Sequence, residues 1–252
     1  MKRHLLWVFL ALCTFSQAFA WGPRGHKIVA QIARHYTDKS VMDSVEHYLD
    51  DISLEKAGYW MDEMMMNSSY DFMLPWHFVM IDSDKTYVRT NKPDIITVLE
   101  NTIAALKKRP INEKEMFLSL KIVTHLIADI HQPLHCGFAK DKRGAAVKLR
   151  FFFKSTNLHD IWDNDILDYQ SLTAEDCLRL GSQLTKKDIA NYQKIDVISW
   201  MEESRELLSY VYDFKGNKVG DEYLEKVTPI VKMQLLKAGL RLAAVLNQTF
   251  KK

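Results

Sequence analysis

Met116-Phe-Leu-Ser-Leu-Lys-Ile-Val-Thr-His125-Leu-Ile-Ala-Asp129-Ile-His-Gln-Pro133-Leu-His135 is the most informative stretch of the chain. Met116 to Ile130 is strongly apolar with helical periodicity, and Pro133 stops it, because proline cannot continue a helix and restricts the residue before it. His125 and Asp129 are four apart, so they share one helix face. His135 follows the stop and can fold back from the turn. Two imidazoles and a carboxylate converging on one point suit zinc, which takes nitrogen and oxygen ligands at about 2 Å. Alone, His125 would read as a hydrogen-bonded core histidine. Asp129 and His135 at these spacings make a metal site the stronger reading.

The helical period continues outward from this segment. Ile28, Val29, Ile32 and Tyr36 recur on one face, and Ser40 to Leu49 and Ile95 to Leu106 are further amphipathic stretches. Asp221 to Phe250 reads as a long terminal helix, with Pro229 a point where it could bend. Between Ala146 and Phe153, Val147, Leu149 and Phe151 alternate with Lys148, Arg150 and Phe152, which predicts a small β-ribbon. No linker, repeat or composition break divides the chain. The expectation is a mainly all-α fold, a single helical domain over residues 21–252.

A second helical pair, His159 and Asp163, lies in Asn157-Leu-His-Asp-Ile-Trp-Asp163. The spacing is weak by itself, since many surface helices contain it, and gains weight as a repeat of the His125/Asp129 pattern. Trp21-Gly-Pro-Arg-Gly-His26 would read alone as a surface turn before a helix; a free amine at Trp21 with its own carbonyl and His26 could also chelate metal. Trp60-Met-Asp62 and Trp76-His77-Phe78 are scattered candidates. His35, His47 and His131 read as non-ligands.

Residues 1–20 have a basic start at Lys2 and Arg3, an apolar run from Leu5 to Thr14 and a small-x-small site at Ala18-Phe19-Ala20. This is the layout of a secretory signal peptide, so export to the periplasm or outside the cell is expected, with Trp21 the first mature residue. Without residues 1–20, basic and acidic side chains number 32 each, so any polyanion must meet local charge or metal. Nothing internal approaches the ~18 apolar residues of a membrane span. Cys136 and Cys177 remain; an exported chain could pair them in a disulfide, or both could be buried thiols. Asn67-Ser-Ser and Asn247-Gln-Thr are glycosylation sequons.

In order along the chain, Trp21-Gly-x-x-Gly-His26, Trp60-x-Asp62, His77-Phe78, His125-x-x-x-Asp129-x-x-Gln-Pro-Leu-His135 and Asn157-Leu-His159-x-x-Trp-Asp163 resemble the zinc-dependent single-strand nucleases of the S1/P1 type. Zinc phospholipases C share that fold and metal plan. The resemblance implies three zinc ions. One would take Asp62, His77, His125 and Asp129; a second Trp21, His26 and the bridging Asp129; a third His135, His159 and Asp163. Asp62 and Asp129 would be central to catalysis, and Phe78, Asn157 and Arg143 would contact substrate, Phe78 by stacking a base. Two zincs sharing a water lower its pKa toward neutrality, and the third stabilises the leaving oxygen. The implied activity is hydrolysis of single-stranded RNA and DNA to 5′-phosphorylated nucleotides. The sequence leaves 3′-nucleotidase activity and oligomeric state open, with a monomer expected.

Three positions depart from the family. Met65 stands where an arginine often follows the first-site aspartate, and on a helix it should project near the same face. Met80 replaces an acid of the base pocket, with Asp82 nearby, and Arg143-Gly-Ala145 stands for a Gly-Gly-Asn loop. Two rival functions are a zinc phospholipase C and a non-catalytic secreted zinc-binding protein. The former resembles His-x-x-x-Glu where this chain has Asp163. The latter fits closed four-ligand sites better than a three-residue third site.

Overall fold

A computed structural model describes residues 21–108 and 112–251; the signal-peptide reading of residues 1–20 lies outside them. The chain is mainly helical, as its periodicity predicts. Helix α1 (Pro23–Tyr36) starts on proline, whose missing N–H is not needed in a first turn, and buries His26, Ile28, Val29 and Ile32. Helices α2 (Lys39–Leu49) and α3 (Leu54–Met64) follow, the latter capped by Ser53 accepting from the Lys56 N–H. A 3-10 run, Ser68–His77, contains Pro75 and ends on His77. Helix α4 (Ile95–Lys107) opens with a reciprocal Asp94/Thr97 capping box.

Helix α5 (Glu113–Ile130) is the centre of the molecule, packed against α1, α2, α3 and α4. Every residue from Leu120 to Ile130 is buried, which explains why its sequence is apolar nearly all round. The chain then turns through a 3-10 segment, Pro133–Cys136, that carries His135.

The ribbon forms where alternation predicts it, two residues late. Strand β1 (Lys148–Phe151) buries Leu149 and Phe151, reverses at Phe152 (φ 53°), and pairs antiparallel with β2 (Lys154–Asn157). A third strand, β3 (Lys218–Val219), adds parallel to β1; two residues are too few to leave a period. After β2 come α6 (Leu158–Asp160), a π-helical turn Ile161–Asp165 and α7 (Ile166–Tyr169). Helices α8 (Ala174–Gly181), α9 (Lys186–Tyr192), α10 (Val197–Glu206) and α11 (Leu208–Val211) lead to α12 (Asp221–Phe250). Helix α12 continues through Pro229 as one element. It packs on α1 so closely that a Cβ at Gly239 would lie 2.3 Å from Ile32 Cγ2.

The buried-thiol alternative holds for the two cysteines, and Met65 departs from its expected place. Cys136 and Cys177 are both free, so the optional disulfide is not made: each is enclosed in the core on a different element, and burial pushes both thiols up to about 12. Met65 caps α3 and is 4% exposed, part of the core and not of an open substrate face. The Asn247 amide is also committed, accepting from the Asp38 N–H and donating to the Tyr36 carbonyl. Among the described residues no helix is long and apolar enough to cross a membrane.

Candidate metal centre

Three elements converge on α5. Helix α1 supplies His26, α3 supplies Asp62, the 3-10 run supplies His77, and α5 itself supplies His125 and Asp129; all five are buried. The two oxygens of Asp129 face different partners. Oδ1 lies 3.4 Å from His26 Nε2, while Oδ2 lies 3.1 Å from both His77 Nδ1 and His125 Nε2. Asp62 repeats this division at longer range, with Oδ2 3.8 Å from His26 and Oδ1 3.7 Å from His125. The His26 and His125 rings stack at 4.2 Å. The two metal positions expected from sequence are therefore one merged constellation, divided across Asp129.

A second group, His135, His159 and Asp163, gathers from the turn after α5, from α6 and from the π-turn. The two rings stack at 5.2 Å, and His159 Nε2 is 3.2 Å from Asp163 Oδ2. The extra residue of a π-turn re-aims a side chain within a helix, a feature common at functional sites. Backbone carbonyls hold three of the rings. The Nδ1 atoms of His125, His135 and His159 lie 2.7, 2.6 and 2.6 Å from the carbonyls of Gly58, His77 and Arg143. Donation from Nδ1–H leaves Nε2 with its lone pair toward the site, the tautomer a metal ligand needs. Gln132 donates to Asp163 Oδ1 at 2.6 Å and fixes that carboxylate in the same way.

The donor atoms fit a cation. Nε2 of His26, both oxygens of Asp62, Nε2 of His135, Oδ1 of Asp129 and Oδ2 of Asp163 are buried without hydrogen-bond partners among the described residues. Buried polar groups are normally satisfied, and leaving one unpaired costs about 1–3 kcal/mol. Nitrogen and carboxylate oxygen donors match zinc. The protonation pattern agrees. Burial pushes His26, His77 and His135 below the ordinary histidine value, His135 to about 4, so they are neutral near neutral pH, the state a metal ligand needs. Burial opposes charge on His125 too, but Asp129 and Asp62 override it and raise His125 to about 9. Burial would raise Asp129 as well, yet His125 and the hydrogen bonds hold it well below the usual range. Burial raises Asp62 to about 7 and Asp163 well above the ordinary carboxylate value. Protons thus stand in for missing positive charge, and a metal would displace them.

The remaining candidates fall unevenly. Trp21 is fully buried before α1, where the Gly22 N–H donates to the Asp163 carbonyl at 2.9 Å and ties this segment to the second group. Asn157 caps α6: its amide accepts from the Asp160 N–H and donates to the Asp160 carboxylate, so it positions His159. Phe78 is half-buried beneath Arg143, whose Cζ lies 3.8 Å from the ring centre. Met80 is exposed, and Asp82 pairs with Lys85. His35 and His47 are exposed, and His131 is buried against Ile127 O and Arg241. The carbonyl contacts of Gly58, His77 and Arg143 were not readable from side-chain identity. Gln132 lay inside a quoted motif without a role. Gly58 left one hint, a small residue: a Cβ there would meet Thr124 Cγ2 at 3.3 Å, so glycine lets α3 approach α5.

Comparison with known proteins agrees with this geometry. The S1/P1 Nuclease family model matches residues 21–251. Endonuclease 4 of Arabidopsis thaliana is 28% identical, the alignment covering 92% of this chain and 90% of that protein. Nuclease S1 of Aspergillus oryzae is 27% identical over 91% of each chain. Endonuclease 5 of Arabidopsis thaliana is 33% identical over 52% of this chain and 51% of its own length. With that family model matching the chain from residue 21 to residue 251, the chain belongs to the S1/P1 nuclease family.

Proposed function

We propose that this chain is an exported zinc-dependent phosphodiesterase that hydrolyses single-stranded RNA and DNA to 5′-phosphorylated nucleotides. Three zinc ions would be held as the family resemblance implies: by Asp62, His77, His125 and Asp129; by Trp21, His26 and Asp129; and by His135, His159 and Asp163. The observation that carries this reading is the division of Asp129 between His26 on one oxygen and His77 with His125 on the other. A carboxylate shared in this way is what a bridged pair of cations requires.

When bound, zinc supplies Lewis acidity: it acidifies water and neutralises phosphate charge. The chain's own residues do the rest. Carbonyls of Gly58, His77 and Arg143 fix three imidazoles so that no reorientation is needed during turnover. Gln132 keeps Asp163 from turning away from His159. Burial of the five-residue group lowers the local dielectric, which strengthens the interactions among its charges. Removal of residues 1–20 frees the Trp21 amine, which as a peptide nitrogen would be a poor ligand.

Zinc analysis of the mature chain, with activity on single-stranded DNA, on single-stranded RNA and on phosphatidylcholine, tests the proposal. The expected result is three zincs per chain, cleavage of both nucleic acids with 5′-phosphate ends, and loss of activity on chelation. Turnover of phosphatidylcholine alone would make the chain a phospholipase, and zinc content with no turnover would make it a binding protein.

A further inference from the structure

Arg143 is the least explained side chain near the metal centre. It is 9% exposed, its Nη1 is buried without a hydrogen-bond partner among the described residues, and its guanidinium Cζ lies 3.8 Å from the ring centre of Phe78. A buried guanidinium with no carboxylate partner is costly, and proteins usually pair it. The ring beneath it directly follows His77, and its own carbonyl accepts from His159, so the residue adjoins both His/Asp groups.

The backbone under Arg143 is also unusual. Lys142, Arg143 and Gly144 have φ of 53°, 60° and 82°, a left-handed run that only glycine adopts freely. The loop is over-determined by its hydrogen bonds. The Arg143 N–H donates to Phe138 O, the Gly144 N–H to Asp141 Oδ1, and Tyr212 Oη to Asp141 Oδ2. The Arg143 carbonyl in turn accepts from His159. Glycine would serve the backbone better at 143, so the side chain needs another reason to be there.

We propose that Arg143 is the phosphate contact of this centre and that, by lying across Phe78, it occupies the surface on which a nucleobase would otherwise stack. The site then selects its substrate by phosphate and not by base. Arginine is suited to both parts: its planar fork can donate two charge-assisted hydrogen bonds to phosphate while its face rests on an aromatic ring. Phe78 becomes the rest that holds the guanidinium in place. This inference builds on the nuclease reading, deepening its substrate recognition.

The test uses the zinc-loaded mature chain with inorganic phosphate as the probe, measured by calorimetry, and kcat/KM on oligo-dA, oligo-dC and oligo-dT of equal length. Arg143→Gly suits the left-handed backbone and keeps the carbonyl for His159. It should retain zinc and bind phosphate about 10-fold more weakly, the loss of one charge-assisted contact. Arg143→Lys keeps the charge without the planar fork and should fall between, which carries the test if the glycine variant loads zinc poorly. Phe78→Leu removes the rest beneath the guanidinium and should also weaken phosphate binding. Wild type should cleave the three oligonucleotides within about fivefold of one another, since each base has no platform. Unchanged phosphate affinity in Arg143→Gly and Arg143→Lys would overturn the assignment. So would a wider base preference in wild type that Phe78→Leu abolishes with phosphate affinity intact. If wild type cleaves no nucleic acid, the nuclease reading fails, and the phosphate titration still decides the part played by Arg143.

Discussion

Each oxygen of Asp129 looks at a different histidine, whereas Asp163 has one oxygen toward His159 and the other committed to Gln132. Replacing either by asparagine removes one negative charge, but the consequences differ. Asp129→Asn should lose about two of the proposed three zinc ions, and Asp163→Asn about one, because only the former serves both halves of the merged group. Elemental analysis of the purified variants checks this, and full zinc loading of Asp129→Asn would remove its bridging role. Met65 gives the opposite lesson. Its spacing from Asp62 makes an arginine there look useful, but the side chain is 4% exposed within the core. Met65→Arg should therefore cost stability, about 3 kcal/mol for a buried unpaired charge, with no gain in rate; a melting curve of the zinc-loaded protein reads the cost. Spacing made two pairs legible, His125/Asp129 and His159/Asp163, because histidine and aspartate four residues apart share a helix face; His26, Asp62 and His77 stood out only through the family resemblance. The carbonyls that orient His125, His135 and His159 were not legible, since every residue carries one and only the fold selects Gly58, His77 and Arg143.

At the scale of elements, α1, α2 and α4 were legible because each buries an apolar face against α5 or α12, whereas α9 buries no residue and left no stripe to read. The ribbon was half legible: alternation marks β1, while β2, with its burial confined to one end, and β3, two residues long, leave no period. The π-turn left none either, because an inserted residue disturbs a helical pattern without replacing it. Packing of α1 on α12 is set by Gly239. A Cβ there would stand 2.3 and 2.5 Å from Ile32 Cγ2 and Cβ and 3.2 Å from the Ala33 nitrogen. A β-branched side chain and backbone cannot step aside cheaply. Gly239→Ala gains about 1 kcal/mol of helix propensity but should lose about 2–3 kcal/mol to overpacking. The net expectation is a melting temperature lower by roughly 4 °C. A rise would mean that the two helices separate freely. Since α1 carries His26, the same variant should weaken zinc retention before it unfolds the chain.

Across the whole molecule, the C-terminal third holds the turn after α5 in place. A helix that ends in the core leaves carbonyls without partners. Ser204 on α10 donates to Ile130 O at 2.6 Å, and Gln234 on α12 donates to His131 O at 2.9 Å. Arg205 donates to Cys136 O at 2.6 Å, and Arg241 reaches His131 Nε2 at 2.7 Å. These contacts fix the path from Asp129 to His135, so a region that looks in sequence like generic helix supports the metal centre. Arg241 is 3% exposed and depends on Glu203, which accepts from its Nη2 at 2.6 Å and from Lys237 at 2.8 Å. Partial burial alone would raise the Glu203 carboxyl, but hydrogen bonds from Lys237 and Arg241 overcome that and hold it below 4.5. Because the folded value lies below the unfolded one, the carboxylate stabilises the fold above about pH 4.5, and that contribution is lost as pH falls through the folded value. Glu203→Gln strands a buried guanidinium. It should cost about 2 kcal/mol near neutral pH, less than a fully buried pair because Glu203 is a third exposed and screened. Denaturant melts of the metal-free protein, run at neutral pH and again below pH 4, measure the difference away from zinc. The gap between wild type and variant should close on acidification, as wild-type Glu203 takes up the proton that glutamine mimics. A gap of the same size at both pH values would mean that the loss comes from side-chain packing and not from the charge that braces Arg241.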